Sequence, residues 1–307
     1  MCRGAALLLL VVTGCYQPRA AAGGACSSDG RCPIGQTCVA DLCELTGTGT
    51  IDAPPDDAID ATPPIDAAPW SGATRVRGVN TSSVEDDPSW TADRLTIVFV
   101  STRNGTADLF LGTRATTTDS FTVAPLDVLN TTTANENSPE ISADGTTIYF
   151  TSDRLTADSN DVYLSHKSGS TWTTPGIVHE LSSTHNDDSD VAISPDGLTA
   201  MVARDGQLMI ATRSSIDGLF SAPVAVPSLN VDGGDAAPSI TNRADAVYFH
   251  AGTIRDLYYA RRDGDVYTQP VPLTELNTSG RDSAPFVSAD EHYLVWARAD
   301  DLFEATR

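Results

Sequence analysis

Hydrophobic and polar residues alternate along most of the chain beyond residue 70. In residues 95–99 (Leu-Thr-Ile-Val-Phe) and 147–150 (Thr-Ile-Tyr-Phe) the apolar positions follow a period of two, which is the period of a β-strand. Ala-Asp-Gly and Pro-Asp-Gly turns separate such runs, as at 143–145 and 195–197. The pattern predicts an all-β domain and excludes helical repeats.

The strand pattern repeats five times between residues 70 and 307, about once every 50 residues. Each unit opens with an aromatic residue, at Trp70, Phe121, Trp172, Phe220 and Tyr267. A proline position follows at a similar offset, occupied by Pro88, Pro139, Val191, Pro238 and Pro285. Four strands fit into one unit. A sheet of this size cannot cover both of its faces and must stack on copies of itself.

Stacked sheets that close into a ring form a β-propeller. The first unit begins with the segment from Trp70 to Asn80, and the last unit ends at its third strand, Asp301 to Arg307. We therefore expect residues 73–80 to supply the outer strand of the last blade, which would cover the open sheet edges. The prediction is a five-bladed propeller of four-stranded antiparallel blades over residues 70–307. A six-bladed ring is the alternative.

The repeat resembles the TolB-type, WD-like propeller repeat. In that family Pro-x-[Ile/Trp]-Ser-x-Asp-Gly precedes an apolar strand, a Ser-x-Arg and an Asp-[Ile/Leu]-Tyr. The corresponding segments here are residues 139–145 (Pro-Glu-Ile-Ser-Ala-Asp-Gly), 152–154 (Ser-Asp-Arg) and 161–163 (Asp-Val-Tyr). The resemblance implies the propeller fold. TolB itself has six blades and an additional N-terminal domain, so its role in envelope integrity and its partners do not transfer to this chain.

The N-terminal residues have the pattern of an export signal. A charged start and an apolar run from Ala5 to Val12 fit a signal peptide over residues 1–14, and the run is far shorter than the roughly 20 residues that span a bilayer. Residues 12–15 (Val-Thr-Gly-Cys) resemble the bacterial lipobox, which implies lipidation of Cys15. Tyr16 in place of an aspartate implies the outer membrane, facing the periplasm or the cell surface. An ordinary signal peptide cut nearby is the alternative.

Two short segments separate the lipidated N-terminus (residues 15–25) from the propeller. Residues 26–43 contain four cysteines, Cys26, Cys32, Cys38 and Cys43. The segment is too short to bury a core, so in an oxidising compartment we predict two disulfides, with all three connectivities open. A zinc site is the alternative, although zinc sites usually contain Cys-x-x-Cys pairs. The segment resembles small cysteine knots of myxobacterial lipoproteins. Residues 44–69, rich in Asp, Pro and Ala, predict a disordered linker.

The charge balance excludes one class of partner. The chain has 41 acidic and 19 basic residues and a net charge of −22, which would repel the phosphate backbone of nucleic acids. The sequence contains no Gly-x-Ser-x-Gly elbow, phosphate loop or dinucleotide fingerprint. We predict no cofactor and expect a monomer that meets the membrane through its lipid anchor alone.

An acid stands three residues before every proline position, as Glu85, Glu136, Asp188, Asp235 and Asp282. These residues are predicted to ring one mouth of the central channel. They could bind a ligand, such as Ca²⁺ or a basic group of a partner, or each carboxylate could accept hydrogen bonds from its own recurring turn. Additions peculiar to one blade are better functional candidates. Blade 1 adds Asp86 and Asp87, and the candidate metal ligands in blade 3 are Asp187, Asp188 and Asp190.

These features favour a lipid-anchored envelope protein whose propeller binds a protein, peptide or glycan of the envelope without catalysis. The alternative is a five-bladed propeller glycoside hydrolase that uses carboxylates at the channel mouth. Such an enzyme needs two acids at defined separations, one of them with a raised pKa.

Overall fold

The computed structural model describes residues 36–39, 42–45, 69–156, 159–183, 185–230, 234, 236–241 and 244–307. Strands β1 (Gln36–Val39) and β2 (Leu42–Leu45) form an antiparallel hairpin in which Cys38 lies opposite Cys43. The predicted signal peptide, the lipidation at Cys15, Cys26, Cys32 and the linker up to residue 68 lie outside the described residues. The two disulfides stay a prediction.

Five antiparallel sheets form the propeller, as predicted. Blade 1 contains β4 (Glu85–Trp90), β5 (Thr96–Ser101), β6 (Asp108–Thr113) and β7 (Thr122–Pro125). Blade 2 contains β8 (Glu136–Ile141), β9 (Thr147–Thr156), β10 (Ser159–Ser168) and a divided outer strand, β11 (Thr171–Trp172) and β12 (Gly176–Ile177). Blade 3 contains β13 (Asp188–Ile193), β14 (Thr199–Arg204), β15 (Gln207–Thr212) and β16 (Val224–Ala225).

The last two blades follow the same order. Blade 4 contains β17 (Ala236–Ile240), β18 (Ala246–Ala251), β19 (Asp256–Asp263), β20 (Val266–Tyr267) and β21 (Val271–Pro272). Blade 5 contains β22 (Asp282–Val287), β23 (Tyr293–Arg298) and β24 (Asp301–Thr306), and its outer strand is β3 (Ser71–Arg75) from the start of the first repeat. The first strand of each blade lines the centre. No helix in the described residues is long and apolar enough to cross a membrane.

The ring closes through β3, as expected, but the strand is shorter than predicted. β3 pairs with β24 and ends at Arg75 instead of continuing to residue 80. The reason lies in Asn80, whose side-chain amide accepts a hydrogen bond from Leu302 N at 2.7 Å and donates one to Leu302 O at 3.0 Å. The amide replaces a strand residue, so the backbone is free to turn at Gly78. Asn130 and Asn277 make the same contacts in other blades.

Side chains from neighbouring blades share the core. The aromatic residue that opens each repeat is buried, with 3–9% of its surface exposed. One cluster joins blade 5 to blade 1 and includes Trp90, Phe121 and Tyr293, with ring centroids of Trp90 and Tyr293 5.0 Å apart. Burial of such large apolar surfaces between blades stabilises the ring.

Candidate ligand site in the central channel

The recurring acids at the start of the inner strands point into their own blades. Glu85, Glu136, Asp188 and Asp282 are 0% exposed. Each carboxylate accepts a hydrogen bond from a backbone N–H of the preceding loop at 2.6–3.0 Å. Each also pairs with an arginine of its own blade, namely Arg103, Arg154, Arg204 and Arg298 in that order. Asp235 lies outside the described residues.

Blade 2 illustrates the full set of contacts that one of these carboxylates makes. Glu136 accepts hydrogen bonds from Thr131 N at 3.0 Å and from Ser152 Oγ at 3.1 Å, and it pairs with Arg154 at 3.1 Å. Burial raises the pKa of Glu136, and these partners oppose the rise. The four carboxylates are therefore satisfied inside the blades and do not line the channel mouth, where the sequence analysis placed them.

The three candidate metal ligands in blade 3 are held apart by different partners. Asp187 accepts hydrogen bonds from the backbone and side chain of Asn160 at 2.8 and 2.9 Å. Asp188 pairs with Arg204 at 2.6 Å, whereas Asp190 accepts a hydrogen bond from Ser189 Oγ at 2.8 Å. Across the residues that the structure describes, no three His, Cys, Asp or Glu side chains are arranged to hold a metal ion. These three aspartates do not form the predicted cation site.

Every inner strand contains a β-bulge, and the bulge directs side chains into the channel. The register shifts once between each first and second strand, and four bulge residues have φ between 46° and 49°, namely Asp87, Ser138, Ala237 and Ala284. A bulge bends its strand and re-aims the side chain at that point. Two bulge amides then bond to the neighbouring blade, Ser138 N to Asp87 Oδ2 at 3.1 Å and Ala284 N to His250 Nδ1 at 3.2 Å.

A charged cluster occupies the channel at the level of the bulges. Asp86 of blade 1 forms an ion pair with Arg281, which precedes the inner strand of blade 5. Burial raises the pKa of Asp86 and of Asp190, and burial together with the neighbouring carboxylates raises that of Asp87 well above its usual value. Burial lowers the pKa of His250 to about 3, so this imidazole is neutral at pH 7. Residues from four blades thus meet here.

A cavity of about 1160 Å³ opens on the face of the propeller that carries the turns between first and second strands. Its inner wall is apolar and includes Ile141, Ile193, Ile240 and Val287. Its rim carries the exposed acids Asp144, Asp217 and Asp290 and the half-buried bases Arg94 and Arg213. Asp86, Asp87 and Asp190 do not line this cavity, because they lie farther along the channel.

Glu140 of β8 is a half-buried carboxyl group among the residues that line the cavity. Its Oε2 accepts a hydrogen bond from Ser89 Oγ at 3.3 Å, and among the described residues it has no ion-pair partner. Burial raises the pKa of Glu140 to about 8, and the hydrogen bonds from Ser89 and the Ile193 backbone oppose the rise only in part. Free Glu140 is therefore mostly protonated at pH 7 and ready to donate a proton or a hydrogen bond.

A second, smaller cleft of about 370 Å³ lies between blades 2 and 3. It shares Tyr149, Leu164, His166 and Arg213 with the larger cavity, so the two form one continuous depression. Two aliphatic side chains of the loop after β15 flank it, and Ile216 and Leu219 are 59% and 76% exposed. An elongated ligand could lie in both parts at once.

Arginines that end the third strands support the rim of the cavity. Arg307 pairs with Glu291 of its own blade at 2.7 Å. Arg114 and Arg213 instead donate Nε to turn carbonyls, those of Arg94 and Gly197. All three guanidinium groups also lie 4.4–4.5 Å above the aromatic residue that opens a repeat. A cation over an aromatic face is favourable, which explains why both residue types recur.

Glu140 escaped the sequence analysis because it falls inside the repeat motif, between Pro139 and Ile141. A signal was nevertheless present. The corresponding positions of the other blades hold Ser89, Ala192, Ser239 and Phe286, so blade 2 alone has an ionisable residue there. A residue that every blade needs for its fold recurs in every blade. An ionisable residue found at this position in one blade only is therefore a candidate for function.

Similarity to solved structures supports the fold. An α-L-arabinofuranosidase from Podospora anserina matches with a TM-score of 0.55 and 13% identity, over 78% of this chain and 96% of its own. The catalytic domain of a GH62 α-L-arabinofuranosidase from Coprinopsis cinerea matches with a TM-score of 0.52 and 13% identity, over 78% and 97%. A TolB protein from Agrobacterium tumefaciens matches with a TM-score of 0.47 and 20% identity, over 72% of each chain.

The neighbours therefore include glycosidases as well as TolB propellers. No protein-family model matches the sequence, and no curated protein matches it significantly. At these identities the likeness concerns the propeller fold, which supports many unrelated activities.

Proposed function

We propose that the protein is a non-catalytic binding module that holds a segment of a protein or peptide partner in the cavity on the turn face of its propeller. The observation that carries the proposal is the shape of that site. The cavity of about 1160 Å³ continues into the cleft of about 370 Å³ between blades 2 and 3. Sites for small molecules usually measure about 300–1,000 Å³, so a longer ligand fits this depression better.

The chemistry of the walls favours a peptide over a glycan. An aromatic ring must expose its face to stack on a ligand, but among the aromatic residues that line the cavity Trp90, Tyr149 and Tyr293 are 2–6% exposed, and Phe286 is half-buried. The exposed apolar groups beside the site are the aliphatic side chains of Ile216 and Leu219. Such groups suit the apolar side chains of a peptide.

The proposal also assigns this module to the cell envelope, on the basis of the N-terminal sequence pattern. A lipid on Cys15 would hold the protein at the outer membrane, and residues 44–69 would separate the propeller from the lipid headgroups. The partner is then an envelope protein. A net charge of −22 predicts that association depends on salt concentration.

A glycoside hydrolase is the second candidate, and Glu140 is the observation that favours it. Its raised pKa suits a general acid. Glycoside hydrolysis, however, needs a second carboxylate across the scissile bond, about 5–10 Å away. Among the described residues lining the cavity, the other carboxylates, Asp144, Asp217 and Asp290, stand on the exposed rim. Binding without turnover therefore fits the site better.

The test is to pan a random peptide library displayed on phage against the full-length protein and to measure the affinity of the selected peptides. We expect Ile216→Asp to weaken binding about tenfold, because it removes an apolar contact of about 1.5 kcal/mol. Ile254 is 56% exposed on a loop of the opposite face, so Ile254→Asp is the matched control and should bind like wild type.

Two results would contradict the proposal. Peptides that bind both variants as tightly as wild type would lie outside the cavity. Turnover of an oligosaccharide panel that is lost in Glu140→Gln would establish the hydrolase instead.

A further inference from the structure

We propose that the cavity floor is a socket for a lysine or arginine side chain of the bound peptide, whose cationic group pairs with Glu140. The inference rests on the proposed function, since it assigns one side chain of the ligand that the cavity binds. It concerns the deep part of the cavity, whereas Ile216 and Leu219 lie at its edge.

The position of Glu140 carries the argument. Its strand β8 lies between the inner strands β4 and β13 of the neighbouring blades, and Ser89 Oγ at 3.3 Å is a neutral partner. Glu140 is half-buried, and a carboxyl group that is desolvated without a cation is costly to ionise. The four recurring acids of the blades all have an arginine, but the described part of the chain supplies none to Glu140. The missing cation can come from a ligand.

The walls above Glu140 select the kind of cation. Among the apolar lining residues of the inner strands, Ile193 and Phe286 are half-buried and present surface to the cavity, and this surface cannot replace the hydration shell of a small inorganic ion. Lysine and arginine combine a long apolar stem with a charged head. The stem would pack against Ile193 and Phe286 while the head reaches the carboxylate.

The charges around the socket do not oppose a cation. On the inner strands packed against β8, Asp86, Asp87 and Asp190 lie in the channel, whereas Glu85 and Asp188 are paired with arginines of their own blades. On β9 Tyr149 lies opposite Glu140 in the register. Arg281 is already paired with Asp86. Arg255, at the far end of the channel, opposes the rise in the pKa of Asp86 and of Asp190. His250 is neutral.

At the mouth, charges of both signs are nearly balanced. Arg307 is paired with Glu291, and Arg94 and Arg213 face the three exposed acids of the rim. His166 and His292 complete the ionisable groups that line the mouth within the described residues. A positive side chain therefore meets no net repulsion on its way to the floor.

Occupation of the socket has a consequence for protons. Free Glu140 holds its proton at pH 7 because burial raises its pKa to about 8. A cation within hydrogen-bond distance favours the ionised form, so binding releases that proton. Affinity for a lysine peptide should then rise by up to about tenfold per pH unit as the pH approaches 8. A ligand that accepts a hydrogen bond from protonated Glu140 would show the opposite trend.

The experiment compares the peptides that the full-length wild type and Glu140→Gln select from the same phage library. We expect wild type to enrich lysine or arginine at one position and Glu140→Gln to lose that enrichment. One selected lysine peptide is then synthesised with norleucine, which keeps the stem and removes the charge. Wild type should bind the norleucine peptide at least tenfold more weakly, whereas Glu140→Gln should bind the two peptides within about twofold.

The outcomes separate the two proposals. Selected peptides without a basic position, equal affinity of wild type for the lysine and norleucine peptides, or affinity that falls between pH 6 and 8 would overturn the socket and leave the binding module standing. Failure of wild type to enrich any peptide would overturn both. Thermal melting of Glu140→Gln verifies that its propeller is folded.

Discussion

Replacement of Glu140 by glutamine should stabilise the propeller at neutral pH. Glutamine keeps the size of the side chain and the contact with Ser89, but it cannot ionise. In the folded protein the pKa of Glu140 is about 8, against an ordinary value of 4.5. The folded state therefore holds the proton at pH values where the unfolded chain has lost it, and wild type is destabilised as the pH rises.

The size of the effect follows from proton linkage. Below pH 4.5 both states of wild type hold the proton, so Glu140 has no effect on the pH dependence. Above it, stability falls by up to about 1.4 kcal/mol per pH unit until the pH passes 8. Between pH 4.5 and 7 this gives an upper limit of about 3 kcal/mol. Because solvent in the cavity screens the carboxylate, we expect Glu140→Gln to be about 1–3 kcal/mol more stable than wild type at pH 7.

Urea denaturation at pH 4, 5.5, 7 and 8.5 measures the effect. The difference between Glu140→Gln and wild type should be small at pH 4 and grow up to pH 8. Glu275→Gln is the control, because Glu275 is exposed and should change stability by less than about 0.5 kcal/mol at every pH. A variant that is no more stable at pH 7, or equally stabilised at pH 4, would refute the reasoning that Glu140 is desolvated without a cation.

Three further changes test the frame of the ring by urea denaturation at pH 7. Glu136→Gln leaves the 18% exposed Arg154 without its charge partner and should lower the free energy of unfolding by about 3 kcal/mol. A decrease below about 1 kcal/mol would show that the ion pair adds little to stability. Trp70→Ala removes a side chain that is 3% exposed beneath Arg307 and should lower the free energy of unfolding by about 3–5 kcal/mol. Unchanged stability would contradict closure of the ring through β3. Gly78→Ala should cost about 1–3 kcal/mol, since φ is +85° and a Cβ would lie 2.4 Å from Phe121 O; unchanged stability would mean that the turn relaxes.

Much of the fold could be predicted because the information is local and is repeated. Alternating apolar residues, Asp-Gly turns and an aromatic at each opening define one blade, and their recurrence sets the number of blades. The ring closure also followed from the phase of the repeat. The end of β3 did not, because the contacts of Asn80 with Leu302 join residues more than two hundred positions apart.

The candidate site was predictable only in part. The acids peculiar to blades 1 and 3, Asp86, Asp87 and Asp190, were recognised as exceptions to the repeat, and the structure places them in the channel. Glu85 and Asp86 are adjacent residues of one strand and so point to opposite sides, but the sequence did not show which of the two faces the channel. The bulge at Asp87 decides how the following side chains are aimed.

The sequence by itself determined that the chain forms five antiparallel blades, that the ring is closed by the segment after Trp70, and that four of the inner strands begin with an acid. These features depend on strand period, turn residues and repetition, which act over a few residues. Only the tertiary structure decided which carboxyl groups are paired and which are not. Glu136 meets Arg154 inside its own blade, whereas Glu140 lines the cavity half-buried and, among the described residues, without a cation. Desolvation depends on everything packed around a group, and that becomes defined only when the ring closes.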